Sequence, residues 1–297
     1  MSFKSGFVAI NGRPNVGKST LLNHFLGHKV AIMSPKAQTT RNVIQGIYNE
    51  DNCQIIFIDT PGIHKPHTKL GEYMNNSALW ASRDVEAILI LNDITEDFGP
   101  GDNYVIENLK QRKSPVIYVI NKVDLVNKEK VLARIDQVKN LMDFKAIIPV
   151  SAKKGTNCDD LLKTLKDLMP DGPKYYPESV ISDHPESFII SELIREKILF
   201  FTQEEVPHSV AVILEKNEKQ KNGKVAIAAT IIVERASQKK IIIGHGGSMI
   251  KKIGIAARKD IESLLGSKVI LTTFVRVEED WRNRTKYLKE FGYREGD

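Results

Sequence analysis

The octapeptide Gly12-Arg13-Pro14-Asn15-Val16-Gly17-Lys18-Ser19 follows an apolar, strand-like run, Phe7–Asn11, and precedes a helical pattern, Ser19–Leu26. Strand, glycine-bounded loop and helix in that order form a phosphate cradle. The glycines let backbone N–H groups turn inward, and the dipole of the helix that starts near Lys18 favours the same negative charge. Lys18 is expected to reach the β/γ-phosphates, with the Ser19 hydroxyl on magnesium and Thr20 beside it. This stretch predicts phosphate binding and is silent on the base.

Asn121-Lys122-Val123-Asp124 supplies the base, directly after the strand candidate Val116–Ile120. The Asp124 carboxylate accepts two hydrogen bonds from guanine N1–H and its exocyclic amine, a pair that adenine does not offer. Asn121 is expected to tie this loop to the phosphate loop, and the Lys122 stem to lie along the base. Ser151-Ala152-Lys153, again past a strand, can turn the Ala152 N–H to guanine O6. Asp59-Thr60-Pro61-Gly62 ends the strand Ile55–Ile58. Asp59 suits a water-bridged hold on magnesium, and the Gly62 N–H suits the γ-phosphate. In Gln38-Thr39-Thr40-Arg41 a threonine is expected to close the magnesium shell, with Thr40 favoured over an ordinary loop cap. Lys18, Thr40 and Gly62 are thus the candidate catalytic groups, and Ser19, Thr40 and Asp59 the candidate metal ligands. Ile63, counted with Asp59–Gly62 among the nucleotide-binding residues, cannot hydrogen-bond a water, so hydrolysis needs another group or bridging waters there; His64 or His67 is a candidate base, set against solvated loop histidines.

The first part of the chain alternates apolar runs, Phe7–Asn11, Ile55–Ile58, Ala87–Leu91, Val116–Ile120 and Ile147–Val150, with amphipathic stretches such as Asp159–Leu168. This alternation predicts an α/β domain, a mostly parallel sheet with helices on both faces. It is placed at 1–172, with a linker at 173–185 after the break Asp171-Gly172-Pro173. A smaller α+β domain, 186–297, begins with a helix over Glu186–Phe201. Strands Ser209–Leu214 and Val225–Glu234 follow, then a helix Ser248–Leu265 and a strand Val269–Val277. The charged Glu215–Lys224 is read as the connection between the first two strands, ending in Asn222-Gly223-Lys224 hairpin chemistry. Composition is that of an ordinary globular chain, 41% hydrophobic and 27% charged, with net charge +6. No apolar run approaches the roughly 18 residues of a membrane span, and no signal peptide is seen. Cys53 and Cys158 have no metal or disulfide spacing and read as buried small residues of a cytoplasmic protein.

Charge is concentrated locally. Arg235 to Lys259 holds seven basic residues and no acidic one. Within it, Ile241-Ile242-Ile243 leads into Gly244-His245-Gly246-Gly247 and a helix bearing Lys251, Lys252 and Arg258. A Gly-x-x-Gly loop lets a nucleic-acid backbone pass close to the main chain above a helix N-terminus. The four loop residues, with Lys251, Lys252 and Arg258, are the candidate RNA contacts. From Trp281 to Tyr293, Arg282, Arg284, Lys286 and Lys289 stand among aromatics, either to stack bases or meet anionic lipid, or to cap the domain core.

The five loops occur in the order seen in translation-factor-class GTPases, and the second half is similar to type II KH domains, which clamp about four single-stranded nucleotides. A P-loop GTPase domain joined to a C-terminal KH domain resembles the Era family over nearly the whole chain, including Gln38–Arg41 and Ile255–Glu262. The resemblance implies binding and hydrolysis of GTP with magnesium. It also implies binding near the 3′ end of small-subunit ribosomal RNA, a role in small ribosomal subunit assembly and peripheral association with the inner membrane. A monomer is expected. His245-Gly246 departs from the usual KH loop, which carries a lysine or arginine between its glycines. Two other readings are an RNA-binding assembly module with GTP as a slow timer, and a protein-binding signalling switch.

Overall fold

The structure, a computed structural model, describes residues 2–293 apart from Pro35, Ala37 and Asn222. Two compact units divide the chain. The first runs to Asp183, and the second, from His184 onward, also takes in 32–39 and 68–70.

The first unit contains β1 (Lys4–Gly12), α1 (Lys18–Leu26), β2 (Ile44–Glu50), β3 (Cys53–Asp59) and α2 (Lys69–Trp80). It continues with β4 (Ala87–Asp93), α3 (Pro100–Leu109), β5 (Val116–Asn121), α4 (Lys128–Val138), β6 (Ala146–Pro149) and α5 (Cys158–Leu168). The sheet order is β2-β3-β1-β4-β5-β6. Five strands are parallel, and β2 pairs antiparallel with β3 at the edge, Ile47 opposite Ile56. Strands covered on both faces read as unbroken apolar runs, and every residue of β3, β4 and β5 is buried. Ala9, Ile58, Ile90 and Ile120 pack with Ala78 of α2, Ile106 of α3 and Val138 of α4 on one face. On the other face Phe25 of α1 stacks on Phe57, centroids 4.9 Å apart. In this order β1 lies between β3 and β4, so the loops leaving the carboxyl ends of β1 and β3 open together.

Residues 173–183, expected as a linker, are bonded to the first unit's sheet. Ser5 Oγ donates to Pro173 O at 2.6 Å, Tyr175 and Tyr176 N–H donate to Gln54 Oε1, and Ile47 N–H donates to Ile181 O at 3.1 Å. The segment thereby pairs the Oε1 of buried Gln54, whose Nε2 also donates to Asn49 Oδ1 at 2.7 Å within the sheet.

The second unit contains α6 (Glu186–Phe201), α7 (Val206–Ser209), β7 (Ala211–Lys219), β8 (Val225–Val233) and α8 (Ala236–Ile243). Next come α9 (Ser248–Leu265), β9 (Val269–Val277) and α10 (Thr285–Glu290). In the sheet β7-β8-β9 the first pair is antiparallel and the second parallel. Its core joins Ile194 and Ile198 of α6 to Ile227, Ala229 and Ile231 of β8 and to Ile253, Ala257 and Ile261 of α9. The alternate residues of β8 face the helices, as the period of a strand requires.

One expectation changes here. Glu215–Lys219 is strand, because its charged side chains lie on a solvent edge; the turn is 220–224, closed by Gln220 N–H to Lys224 O at 2.8 Å. Asn222 itself lies outside the described residues. Ile241–Ile243 is the end of α8, with Ile242 fully buried.

Candidate functional site

The phosphate loop leaves β1 with φ of +148° at Gly12, +65° at Asn15 and +101° at Gly17. A Cβ at Gly17 would stand 2.2 Å from Asn121 Nδ2, and one at Gly12 would stand 2.5 Å from Leu91 O, so both positions need glycine. Lys18 is buried and donates from Nζ to Arg13 O at 2.9 Å and Gly12 O at 3.3 Å. Burial lowers its pKa to about 8, with the Asp59 charge pulling the other way. Val16 is core, and Thr20 lies in the first turn of α1. Arg13 does not turn its side chain to the phosphate position. Its guanidinium pairs with Glu96 at 2.9 Å and Asp102 at 3.0 Å, and Asp102 also accepts from Asn92 Nδ2 at 2.9 Å. The backbone of Arg13 remains in the cradle, and its charge serves to anchor the loop.

Ser19, Thr40 and Asp59 converge. Ser19 Oγ lies 2.7 Å from Asp59 Oδ2 and 2.8 Å from Thr40 Oγ1, and Thr40 Oγ1 donates to Asp59 Oδ2 at 3.3 Å. Thr39 instead donates to Lys36 O at 2.6 Å, so of the two threonines the structure brings Thr40 to the site. Asp59 is fully buried, and its Oδ1 has no hydrogen-bond partner. Burial raises its pKa to about 6, opposed by Lys18, Ser19 and Thr40. An orphaned buried carboxylate oxygen beside two hydroxyls is a hard-oxygen donor set, which fits magnesium.

At the base end, Asn121 Nδ2 donates to Val16 O at 2.8 Å, joining β5 to the phosphate loop. Its Oδ1 accepts the Ala152 N–H at 3.0 Å, so the hydrogen expected to face guanine O6 is turned to Asn121. Asp124 is exposed in a single 3-10 turn and accepts from buried Ser151 Oγ at 2.6 Å. Lys122, at φ +65°, pairs with buried Asp93. That ion pair fixes the direction of the Lys122 side chain. Lys153 is exposed at the rim.

After β3, Thr60 Oγ1 donates to Ile10 O at 2.8 Å, and Pro61 is buried. A Cβ on Gly62 would meet Pro14 N at 2.6 Å, so only glycine fits between this loop and the cradle. Ile63 donates its N–H to Gly12 O at 3.1 Å, while its side chain, 1% exposed, belongs to the apolar cluster under α2 and α3. The expectation that Ile63 lines the nucleotide is corrected for its side chain, which prefers the core. His64 Nδ1 lies 2.8 Å from Gly62 O, and His67 is exposed. Asn75 of α2, which sequence reading missed, holds the His64 backbone.

In the second unit the Gly-x-x-Gly loop takes φ of +73° at Gly244, +56° at Gly246 and +79° at Gly247, and His245 and Gly246 are exposed. A Cβ at Gly246 or Gly247 would meet nothing within 4 Å, leaving room for a backbone to approach. Lys251 and Arg258, seven apart on α9, share one exposed face; Lys252 sits 4.3 Å over the Phe201 ring. The tail alternatives are decided for Trp281. It is fully buried, donates from Nε1 to Ser209 O at 2.8 Å and packs on Tyr293 and Phe291. Arg282 pairs with Glu234 at 2.6 Å. These side chains cap the core and are not free to stack on bases.

Residues 7–122 match a family described as 50S ribosome-binding GTPase, and 205–282 match the KH domain. The GTPase Era of Staphylococcus epidermidis is 53% identical over 290 residues, 98% of this chain and 97% of its own. A crystal structure of an Aquifex aeolicus Era variant bound to GDP and AlF4− has 42% identity and a TM-score of 0.94, over 98% of this chain and 99% of that one. A crystal structure of Era with MgGDPNP and nucleotides 1506–1542 of 16S ribosomal RNA has 43% identity and a TM-score of 0.95, with the same coverage. With phosphate cradle, guanine loops and Gly-x-x-Gly loop all in place along a chain of this likeness, the protein belongs to the Era family of GTPases.

Proposed function

We propose that this GTPase is a switch that binds the 3′-terminal segment of small-subunit ribosomal RNA and acts in assembly of the small ribosomal subunit. One observation carries the reading: the relative at 43% identity over 98% of this chain holds MgGDPNP and nucleotides 1506–1542 of 16S ribosomal RNA at once. The Gly244–Gly247 loop, with Lys251 and Arg258 beside it, supplies an open backbone and cations for a single strand. The functional halves are taken as 1–172 and 186–297.

In this reading Gly12–Thr20 cradle the phosphates, Asp124, Lys122 and Lys153 line the guanine while Asn121, Ser151 and Ala152 join the loops that carry them, and Asp59–Gly62 approach the γ-phosphate. Ser19 and Thr40 would hold magnesium directly and Asp59 through water. When bound, the ion supplies charge neutralisation between the β- and γ-phosphates. Lys18 places a second positive charge there. The Gly62 N–H marks the γ-phosphate, which GDP lacks, and so reads the nucleotide state. The chain is proposed to act as a cytoplasmic monomer. Among the described residues no helix is long and apolar enough to cross a membrane, and the proposed membrane association is peripheral, through exposed Arg284, Lys286 and Lys289.

The test is binding of a labelled RNA matching the 3′ end by fluorescence anisotropy, for the natural chain and for His245→Asp. A carboxylate in the loop repels phosphate and is expected to weaken binding by about tenfold or more while leaving GTP hydrolysis unchanged. Equal RNA affinity of the two proteins would refute the assignment of this loop.

A further inference from the structure

Asn75 lies on the buried side of α2 beside Met74 and Ala78 and is 5% exposed. A buried carboxamide is costly unless all its groups are bonded. Here it clasps one residue from both sides: Oδ1 accepts the His64 N–H at 3.1 Å, and Nδ2 donates to His64 O. The His64 ring closes a second loop, with Nδ1 2.8 Å from Gly62 O. From the opposite side Ile63 N–H donates to Gly12 O, and Gly62 lies so near the phosphate loop that a Cβ on it would stand 2.6 Å from Pro14 N. Residues 62–64 are thus pinned between the phosphate loop and one side chain of α2.

We propose that Asn75 is a positioning residue for GTP hydrolysis, fixing the Gly62–His64 backbone so that the Gly62 N–H stays aimed at the γ-phosphate. This rests on the reading of Gly62 given above. An apolar side chain of similar size would satisfy the packing of α2 but remove both bonds that Asn75 makes to the His64 backbone. Because Ile63 commits its side chain to the core, backbone placement is what this loop can contribute, and a displacement of 1 Å costs about a hundredfold in rate.

The test compares Asn75→Ala, Asn75→Asp and Gly62→Ala in single-turnover GTP hydrolysis and in GDP affinity, using the full chain with magnesium. GDP has no γ-phosphate, so Asn75→Ala is expected to slow hydrolysis about tenfold or more while GDP affinity stays within about twofold. Asn75→Asp keeps the acceptor but sets a carboxylate oxygen against His64 O, and is expected to lose at least as much rate as Asn75→Ala. A natural rate for Asn75→Ala overturns the proposal, whatever Gly62→Ala does. So does a parallel loss of rate and GDP affinity, which is general loosening of the site. A natural rate for Gly62→Ala separately overturns the placement of Gly62.

Discussion

Replacing Asp59 by asparagine is expected to stabilise the nucleotide-free protein above pH 6 while weakening its hold on magnesium and GTP. The carboxyl is fully buried, and its pKa is raised from the ordinary 3.8 to about 6, chiefly by burial, with Lys18, Ser19 and Thr40 pulling back. The folded state therefore keeps its proton to about pH 6, while the unfolded state releases it near 3.8. Folded protein binds more protons in that window, so stability from this group is highest below it, falls as pH rises through it, and is lowest above. The rise from 3.8 to about 6 corresponds to about 3 kcal/mol. Asparagine removes the charge and keeps an acceptor for Ser19. Part of the gain is lost because Lys18, already lowered to about 8, loses its negative neighbour. At about 2–4 °C per kcal/mol, the upper limit is a rise in Tm of roughly 6–12 °C. The assay is calorimetry in chelator without nucleotide at pH values of about 4 and about 8, on either side of the window, followed by titration with GTP and magnesium. The variant should gain more on the alkaline side than on the acid side, and its magnesium-dependent GTP affinity should fall about 10–100-fold, as for other outer-shell partners. A lower Tm on the alkaline side, or the same difference at both pH values, would refute the reasoning.

Other outcomes follow from the same contacts. If Asp124 holds guanine as proposed, Asp124→Asn removes two charge-assisted bonds, each about 1.5–3 kcal/mol, and GTP affinity measured by titration should drop about 10²–10⁴-fold; affinity retained would remove Asp124 from the base site. Trp281→Ala opens the cap of the second unit and should cost about 3–5 kcal/mol in denaturant unfolding of that unit, with nucleotide affinity kept. His245→Lys adds a cation between the glycines, and RNA affinity should rise with a log–log salt slope steeper by about one; an unchanged slope would place the strand elsewhere.

The parts legible in sequence are those whose chemistry fixes residue type and spacing. Gly12 and Gly17 could be read because a cradle needs their backbone, and Lys18, Asp59 and Asn121 because their charges and amides have few substitutes. Parallel strands such as Ile55–Ile58 stood out as unbroken apolar runs, since both faces are covered. The edge strand Ile44–Glu50 went unread: half-exposed, with polar Gln45, Asn49 and Glu50, it has no such run. At its Gly46 a Cβ would stand 2.6 Å from Leu26 Cδ1, so the small residue answers to a contact between segments that the local pattern does not mark. For the same reason the pairing of Arg13 with Asp102 and the clasp of His64 by Asn75 were illegible. They depend on where α3 and α2 come to rest, and nothing local marks them. The Ile63 side chain was misplaced because a motif position gives no direction, and the fate of Trp281 was open because a burial site 72 residues away decides it.

The central claim, that the nucleotide gates RNA binding, is tested most directly by the affinity for a short single-stranded RNA matching the 3′ end of small-subunit ribosomal RNA, measured with a GTP analogue, with GDP and without nucleotide. Tighter binding with the analogue, which vanishes in Gly62→Ala, is the expected result. Equal affinity in all three states would contradict the switch and leave a GTPase and an RNA-binding loop that act independently.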